Sequence, residues 1–293
     1  MIFNESGGTG QIPPPSLRKY KPQLVQYVYM ISSQEFFAVC RTAAERIEEA
    51  IAPLVGTEYG AEELCMGADN TPTERLDRVA EDIVFALFRE KKVCRYILSE
   101  EAGMVEIGGS AGIAYLDPVD GSFNAGAGIP FYALSVGLSD GKEMIAGYVK
   151  NLAADEEFTA EKGKGARLNG EAVRTSCKSD LSVSAISLYA RAPEMQRLLQ
   201  AGYASRRSRL FGASALELCY VACGRLEGFL DLRGTLRITD AAAAILILEE
   251  AGGVVSLPDG SPCSFPDDVR CGRSLLGANR PIHEKLTSFM RSI

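Results

Sequence analysis

The sequence has 293 residues, of which 46% are hydrophobic and 24% are charged, and its formal net charge is −7. This length and composition are typical of a globular protein with one large domain or about two smaller ones. The acidic balance, the lack of a basic patch and the lack of an apolar run of about 18 residues exclude nucleic-acid binding and a membrane span.

The first 33 residues differ from the rest of the chain, because they are rich in proline and show no periodic pattern. Three successive prolines at residues 13–15 favour an extended, water-exposed segment. We therefore interpret residues 1–33 as a flexible arm. A proline-rich docking peptide is the alternative, and Met30 is a candidate for the true start. No secretory signal is visible, which favours a cytoplasmic protein.

Two amphipathic helices are predicted to open the ordered structure. Ser33 is typical of a helix N-cap, and the apolar residues after it recur at helical spacing until Pro53. The second helix is predicted over residues 72–91. Short apolar strands follow at residues 96–99 and 112–116.

The middle of the chain has the composition of an antiparallel sheet, with Asn169-Gly170 as a hairpin turn. Its predicted strands are residues 133–138, 144–149 and 157–160. From about residue 182 strands alternate with helices. The strands are predicted at 184–188, 228–232 and 254–256, and the helices at 193–201, 214–222 and 240–250. These patterns predict an α/β (α+β) protein with a first domain at 34–182 and an α/β second domain at 183–293, whose sheet is mixed or parallel.

The most informative segment is Asp117-Pro118-Val119-Asp120-Gly121-Ser122, which follows the strand at 112–116. The proline stiffens the turn, so that Asp117 and Asp120 can converge on one hard cation, with the carbonyl of Val119 as an additional ligand. The backbone N–H groups of Gly121 and Ser122, at a helix start, can hold a phosphate group beside it. A divalent cation next to such donors suits hydrolysis of a phosphate ester. The structural alternative is an Asp-Pro turn before an N-capped helix.

Two further carboxylates are expected at the same place. Glu100 follows the strand at 96–99, and neighbouring strand ends lie within several ångströms of each other. Asp240 opens a helix whose next residues are alanines, which allow a close approach, although an aspartate at a helix start alone is usually a cap. A ligand set of oxygens without histidine or thiolate selects Mg²⁺, or Mn²⁺, over zinc.

The cysteines and the histidine do not indicate a second metal site. The eight cysteines form no C-x-x-C pair, and the only histidine is His283. Cys219 and Cys223 lie four residues apart in an apolar stretch, so we interpret them as core residues. His283 is interpreted as a residue on the surface of a helix.

Three segments resemble the signature motifs of the inositol monophosphatase and fructose-1,6-bisphosphatase superfamily. They occur in the family's order: Ser99-Glu100-Glu101, Asp117 to Ser122, and Thr239-Asp240-Ala241-Ala242 with the later Glu250-Ala251-Gly252-Gly253. The resemblance covers roughly residues 34–290 and is greatest to the archaeal-type branch of dual fructose-bisphosphatase and inositol-monophosphatase enzymes. It implies a layered α/β/α/β/α sugar-phosphatase fold, usually in a homodimer. The first domain would bind metal and phosphate, and the second would bind the substrate.

The resemblance also implies a metal site with two or three Mg²⁺ ions. Glu100, Asp117, Asp120 and the carbonyl of Val119 would bind the first ion. Asp117, Asp120 and Asp240 would bind the second. A water activated by the metals would then attack the phosphorus atom of a small-molecule phosphate ester.

Catalytic and phosphate-binding roles follow from the same resemblance. Asp77 would match the carboxylate that polarises a hydroxyl group, and Ser122 would carry that hydroxyl. Glu100 would belong to the catalytic residues with them. Asp120, Gly121 and Ser122 would lie against the phosphate, through the backbone N–H groups of the last two.

One position departs from many inositol-specific relatives, which carry a glutamate seven residues before the last metal-binding aspartate. Arg233 occupies this position, and Arg237 follows closely. An arginine can bind a second phosphate with two hydrogen bonds, so this departure favours a bisphosphorylated sugar. Other residues are expected in the same basic wall: Tyr189, Arg191, Arg207 and Arg209. For each arginine taken alone, a solvated surface charge is the alternative.

The sequence therefore predicts Mg²⁺-dependent hydrolysis of a sugar or inositol phosphate monoester. Fructose 1,6-bisphosphate and inositol 1-phosphate are the expected substrates, and gluconeogenesis is the expected setting. One alternative is a 3′-phosphoadenosine-phosphate nucleotidase. Another is a catalytically silent binding member of the fold, against which the complete set of carboxylates argues.

Overall fold

The computed structural model describes residues 31–191 and 193–291, so nearly all of the predicted arm at 1–33 lies outside the described residues. Seven α-helices occur within the described ranges. They are α1 (Ser33–Ile51), α2 (Arg75–Lys91), α3 (Ser122–Gly126), α4 (Met195–Ala204), α5 (Ser214–Ala222), α6 (Ile238–Glu250) and α7 (Arg280–Arg291). None of the described helices is long and apolar enough to cross a bilayer.

The larger of two main sheets has eight strands. In spatial order these are β10 (Glu171–Val173), β9 (Ala166–Leu168), β8 (Glu156–Glu161), β7 (Met144–Asn151), β6 (Ala133–Ser139), β5 (Ile113–Asp120), β3 (Tyr96–Ser99) and β4 (Gly103–Glu106). All neighbours are antiparallel except β3 and β5, which are parallel. The expected antiparallel sheet is therefore found with one exception, and this exception brings the carboxyl ends of β3 and β5 together.

The second sheet has five strands and is mixed, as predicted. In spatial order they are β12 (Arg207–Arg209), β11 (Ala185–Tyr189), β13 (Gly228–Leu236), β15 (Arg273–Ala278) and β14 (Val254–Ser256). The first three are parallel, and the last two run antiparallel to their neighbours. A separate ribbon pairs β1 (Glu63–Met66) with β2 (Pro72–Glu74).

The elements stack in five layers, which confirms the predicted α/β/α/β/α fold. Helices α1 and α2 cover one face of the larger sheet, and α4 and α7 cover the outer face of the second. Between the sheets lie α5 and α6, whose core includes residues from both halves of the chain. Gly147 of β7 allows this contact, because a Cβ atom there would lie 2.6 Å from the carbonyl oxygen of Ala243. The predicted division between residues 182 and 183 stays a prediction.

Several local predictions need correction. The N-cap of α1 is Ser32, not Ser33, because Ser32 and Glu35 form a capping box. Residues 72–74 are not helical, since they pair with β1, and α2 begins at Arg75. Strand β5 continues to Asp120 rather than ending at residue 116. Strands β1, β4, β12 and β15 were not predicted from the sequence.

His283 is not a surface residue. It lies in α7 but is buried, and its Nε2 atom is 2.8 Å from the hydroxyl oxygen of Ser256 in β14. Burial lowers the pKa of its imidazole. Cys219 is fully buried in the core, as predicted.

Candidate active site

The Asp-Pro-Val-Asp-Gly-Ser segment is shaped by the end of β5. Its pairing with β6 shifts register between Asp117 and Asp120, and Gly121 then starts α3 with a φ of 89°. A Cβ atom at Gly121 would lie 3.0 Å from the carbonyl oxygen of Gly212 and 3.1 Å from that of Phe131. A side chain therefore has neither a suitable backbone conformation nor space at this position. The bulge and the glycine together turn the backbone from the strand into the helix.

Glu100, Asp117 and Asp240 converge as the sequence predicted. Each offers a carboxylate oxygen, and these oxygens lie within 4.8 Å of one another. Glu100 directly follows β3, whose parallel pairing with β5 places it beside Asp117. Asp240 comes from the first turn of α6, which packs on the larger sheet. The three groups could bind one divalent cation.

Asp120 is held differently from these three groups. Its two carboxylate oxygens accept hydrogen bonds from the backbone N–H groups of Ser214, at 3.1 Å, and Ala215, at 2.7 Å. These donors belong to the first turn of α5, where an anion is favourable. Because each carboxylate oxygen has two lone pairs, Asp120 keeps the capacity to bind a metal. It links the β5 motif to the second half of the chain.

A small polar cavity of about 220 Å³ connects the predicted residues. It is lined by Asp77, Glu100, Asp117, Val119, Asp120, Gly121, Ser122, Tyr189, Arg233, Arg237 and Asp240, all of which the sequence analysis had selected. Phe123, Gly212 and Ser214 also line it and had not been selected as site residues. The carboxylate of Asp77 accepts a hydrogen bond from the backbone N–H of Glu74, at 3.2 Å.

Burial makes the charged forms of Glu100, Asp117 and Asp120 unfavourable when no metal is bound. Burial, followed by the charges of neighbouring carboxylates, raises the pKa of Asp117, whereas for Glu100 burial outweighs the opposing charge of Arg237. Burial and the charge of Asp240 raise the pKa of Asp120 to about 8, despite its two backbone hydrogen bonds. A divalent cation would relieve this repulsion, and the donors are all hard oxygens. The residues present therefore fit Mg²⁺.

Arg237 lies among the converging carboxylates rather than on a separate substrate wall. Its Nη1 atom is 2.7 Å from Oε1 of Glu100, and its Nη2 atom is 3.1 Å from Oδ1 of Asp240. The same guanidinium forms an ion pair with Asp69 in the loop between β1 and β2. The sequence analysis assigned Arg237 to substrate and did not select Asp69. No local signal joins them, because they are 168 residues apart.

Arg233 and Tyr189 form one wall of the cavity. The Nη2 atom of Arg233 is 2.6 Å from Oδ2 of the buried Asp231, and its guanidinium carbon lies 4.2 Å from the centre of the Tyr189 ring. The Tyr189 hydroxyl donates to Glu217 and accepts a hydrogen bond from the N–H of Gly212. Both predicted residues are thus fixed by buried partners.

The three other predicted arginines do not line this cavity. Arg207 and Arg209 are exposed in β12, at the edge of the second sheet, and Arg191 is exposed just after β11. The guanidinium groups of Arg207 and Arg209 donate to nearby backbone carbonyls. A role for these three in substrate binding stays a prediction.

Glu81 supports the Glu100 segment and had not been selected from the sequence. It is fully buried, and its Oε1 atom accepts hydrogen bonds from the Ser99 hydroxyl, at 2.6 Å, and from the Ala102 N–H, at 3.0 Å. These two donors flank Glu100 and Glu101. A signal was available, because Asp77 and Glu81 are spaced i, i+4 on the apolar face of α2.

The chain is similar to known proteins in sequence and in fold. Residues 32–293 match the inositol monophosphatase family. The chain is 39% identical over 264 residues to a fructose-1,6-bisphosphatase/inositol-1-monophosphatase of Methanothermobacter thermautotrophicus, covering 85% of this chain and 94% of that protein. It is 38% identical over 267 residues to a bifunctional NADP phosphatase/NAD kinase of Methanococcus maripaludis, covering 83% of this chain but only 47% of that protein. A solved structure from Pyrococcus horikoshii, described as a hypothetical protein with similarities for inositol-1 monophosphatase, aligns with a TM-score of 0.79 and 30% identity, covering 89% of this chain and 99% of that one.

Proposed function

The chain belongs to the inositol monophosphatase family and is a phosphatase that hydrolyses phosphate monoesters, and on this premise we propose that its substrates are fructose 1,6-bisphosphate and inositol 1-phosphate and that its metal is Mg²⁺. One observation carries the proposal. Glu100, Asp117 and Asp240 converge in a cavity that also contains the backbone of Gly121 and Ser122. This arrangement supports a cation site next to an anion site, which phosphate ester hydrolysis requires.

The metal-binding residues would be Glu100, Asp117 and Asp240, together with Asp120 and the carbonyl of Val119. Two or three Mg²⁺ ions are proposed, and Mn²⁺ has the same preference for oxygen ligands. Bound Mg²⁺ lowers the pKa of water and offsets the negative charge of the phosphoryl oxygens.

The chain's own groups orient the phosphate. The N–H groups of Gly121 and Ser122 donate hydrogen bonds to its oxygens, and the bonds from α5 to Asp120 keep this backbone in place. Asp77 polarises the Ser122 hydroxyl; both line the cavity. Burial raises the pKa of Asp77, so this carboxyl readily takes up a proton.

Arg233 supports the choice of a bisphosphorylated sugar. Its guanidinium lies at the cavity wall over the Tyr189 ring, where a donor fork can bind the phosphate that is not cleaved. Asp231 holds the guanidinium in position, so little conformational entropy is lost when the substrate binds.

A nucleotide phosphate is the second candidate substrate, and Phe123 favours it. This side chain lines the cavity and is 78% exposed, so its ring can stack against a nucleobase. The similarity to a bifunctional NADP phosphatase/NAD kinase points to the same class. NADP and 3′-phosphoadenosine phosphates are the nucleotides with which this second candidate is tested.

A phosphate-release assay on the full chain tests these assignments. Fructose 1,6-bisphosphate, inositol 1-phosphate, NADP and 3′-phosphoadenosine 5′-phosphate are each incubated with enzyme and Mg²⁺, with a chelator as control. We expect release from the first two compounds and loss of release with the chelator. Faster release from a nucleotide would replace the proposed substrate, and no release from any compound would favour the silent binding member.

The proposal also includes the oligomeric state and the cellular role. We propose a homodimer that acts in the cytoplasm and in gluconeogenesis, because the chain resembles a branch in which these properties are expected. Light scattering of the purified chain would test the dimer, for which a monomer mass is the contrary result.

A further inference from the structure

A positive charge built into the chain lies where a metal ion is expected. The Arg237 guanidinium contacts Glu100 Oε1 at 2.7 Å and Asp240 Oδ1 at 3.1 Å, and its Nε atom is 3.2 Å from both oxygens of Asp240. Two of the three converging carboxylates are therefore already paired with a cation. The third, Asp117, has no ion pair with Arg237 among the described contacts.

A metal ion and the guanidinium would compete for the same two carboxylate groups. Mg²⁺ binds oxygen ligands at about 2.1 Å and demands near-octahedral geometry. An ion at this distance from Oε1 of Glu100 and Oδ1 of Asp240 would lie close to the guanidinium, and two positive charges at such a distance repel each other. Binding of the metal therefore favours movement of the guanidinium away from these carboxylates.

The backbone around Arg237 allows this movement. Its N–H group donates to Oδ2 of Asp240 at 2.9 Å, which fixes the start of α6 independently of the side chain. The long side chain can then change rotamer without unfolding the helix. Because Arg237 lines the cavity, a released guanidinium stays beside the space where a phosphate would lie.

We propose that Arg237 is a tethered counter-cation that competes with divalent metal for Glu100 and Asp240, and that metal binding releases its guanidinium towards the substrate phosphate. In the metal-free enzyme it neutralises carboxylates that would otherwise repel one another. In the loaded enzyme it becomes a phosphate ligand, which is the role that the sequence predicted. This inference rests on the proposed metal-dependent function.

Calorimetric titration of Mg²⁺ into chelator-stripped protein tests the competition. We expect Arg237→Gln to bind Mg²⁺ more tightly than the wild-type chain, on the order of tenfold, because no competing charge has to be displaced. Arg233→Gln is the matched control. It removes an equal charge from the same cavity, but Arg233 pairs with Asp231 rather than with the converging carboxylates. The affinity of the Arg233→Gln variant for Mg²⁺ should stay within about threefold of wild type.

Clear outcomes would overturn the proposal. Unchanged or weaker binding by Arg237→Gln would do so, and so would an equal gain in the Arg233→Gln control. If Arg237→Gln does not fold without metal, as judged by circular dichroism, Arg237→Lys decides in its place. Lysine keeps the charge but cannot contact Glu100 and Asp240 with several N–H donors as the guanidinium does, so it competes less strongly and the variant should bind Mg²⁺ more tightly than wild type, by less than about tenfold. These titrations involve no substrate, so a chain that releases no phosphate could still show the competition.

Discussion

Asp117 is a carboxylate whose negative charge is unfavourable in the metal-free site. It is 4% exposed, and burial together with Glu100, Asp120 and Asp240 raises its pKa. Asp117→Asn keeps the shape but removes the charge, so we expect phosphate release to fall by roughly 10²- to 10³-fold. The release assay with saturating Mg²⁺ measures this. Asp82→Asn, on the exposed face of α2, is the control, and wild-type turnover in Asp117→Asn would contradict the metal site.

Glu81 is expected to act on the metal indirectly, through the backbone beside Glu100. Glu81→Ala removes the acceptor for Ser99 and Ala102, so the apparent affinity for Mg²⁺ should fall by roughly 10- to 100-fold. Glu81→Gln keeps an acceptor oxygen and should recover most of this loss. Titration of activity against Mg²⁺ gives both values. Equal affinities in the two variants would show that these hydrogen bonds do not position Glu100.

Arg233 is expected to favour substrates with two phosphate groups over substrates with one. In Arg233→Ala we expect the KM for fructose 1,6-bisphosphate to rise by about tenfold, the effect of one charge-assisted contact, with a smaller change for inositol 1-phosphate. Steady-state kinetics with both substrates measures the difference. Arg270→Ala is the control, because Arg270 also pairs with an aspartate two residues earlier but is exposed. Equal changes for both substrates would remove the bisphosphate argument.

The residues of the site were predictable where their chemistry is local. Asp117, Val119, Asp120, Gly121 and Ser122 are consecutive or nearly so, and their spacing alone indicates a cation beside an anion-binding backbone. Residues joined only by folding were not predictable in this way. The pairing of Asp69 with Arg237 depends on a loop meeting the start of α6, and no pattern in either segment announces it.

At the scale of elements, the strand-to-helix turn at Gly121 is a tightly constrained junction of the site. Gly121→Ala must adopt a φ of 89° and must also clear two carbonyl oxygens at 3.0 to 3.1 Å. Gly141 is a matched control, since its φ is 91° but nothing lies within 4 Å. We expect Gly141→Ala to lower the free energy of unfolding by about 1 kcal/mol and Gly121→Ala by more, about 2 to 3 kcal/mol. Urea unfolding compares them, and equal losses would refute the steric argument.

Elements with a clear hydrophobic period were predicted, and elements without one were not. Helices α1, α5 and α6 have broad apolar faces, and their limits differ from prediction by at most two residues. Strands β1 and β12 consist of exposed residues, so no alternation marks them. Residues 72–74 were predicted to be helical, but they pair with β1 as a short strand. This pairing is a tertiary contact, which local propensity cannot predict.

For the whole molecule, the raised carboxyl pKa values predict how stability depends on pH. Burial raises the pKa of Glu101 to about 7 and that of Asp120 to about 8, above the ordinary value near 4. The native state then binds more protons than the unfolded state. The stabilisation by these groups is therefore complete at low pH and is lost as pH rises through about 7 to 8.

We expect the metal-free protein to melt several degrees lower at pH 8.5 than at pH 6, and Mg²⁺ to restore the midpoint at pH 8.5. Mg²⁺ favours the ionised carboxylates and so removes the penalty of their burial. Thermal melting with and without chelator measures both effects. A midpoint that saturating Mg²⁺ leaves unchanged would count against a metal site in this cavity.

Asp120 accepts hydrogen bonds from two residues of α5 that follow it by 94 and 95 positions in the chain. A nascent polypeptide on the ribosome presents its Asp-Pro-Val-Asp-Gly-Ser turn long before those amide partners have been synthesised, and Asp240 emerges later still. Until then the turn has neither its anchor nor its final carboxylate. The complete site can consequently assemble only late in translation, after residue 240 has been synthesised.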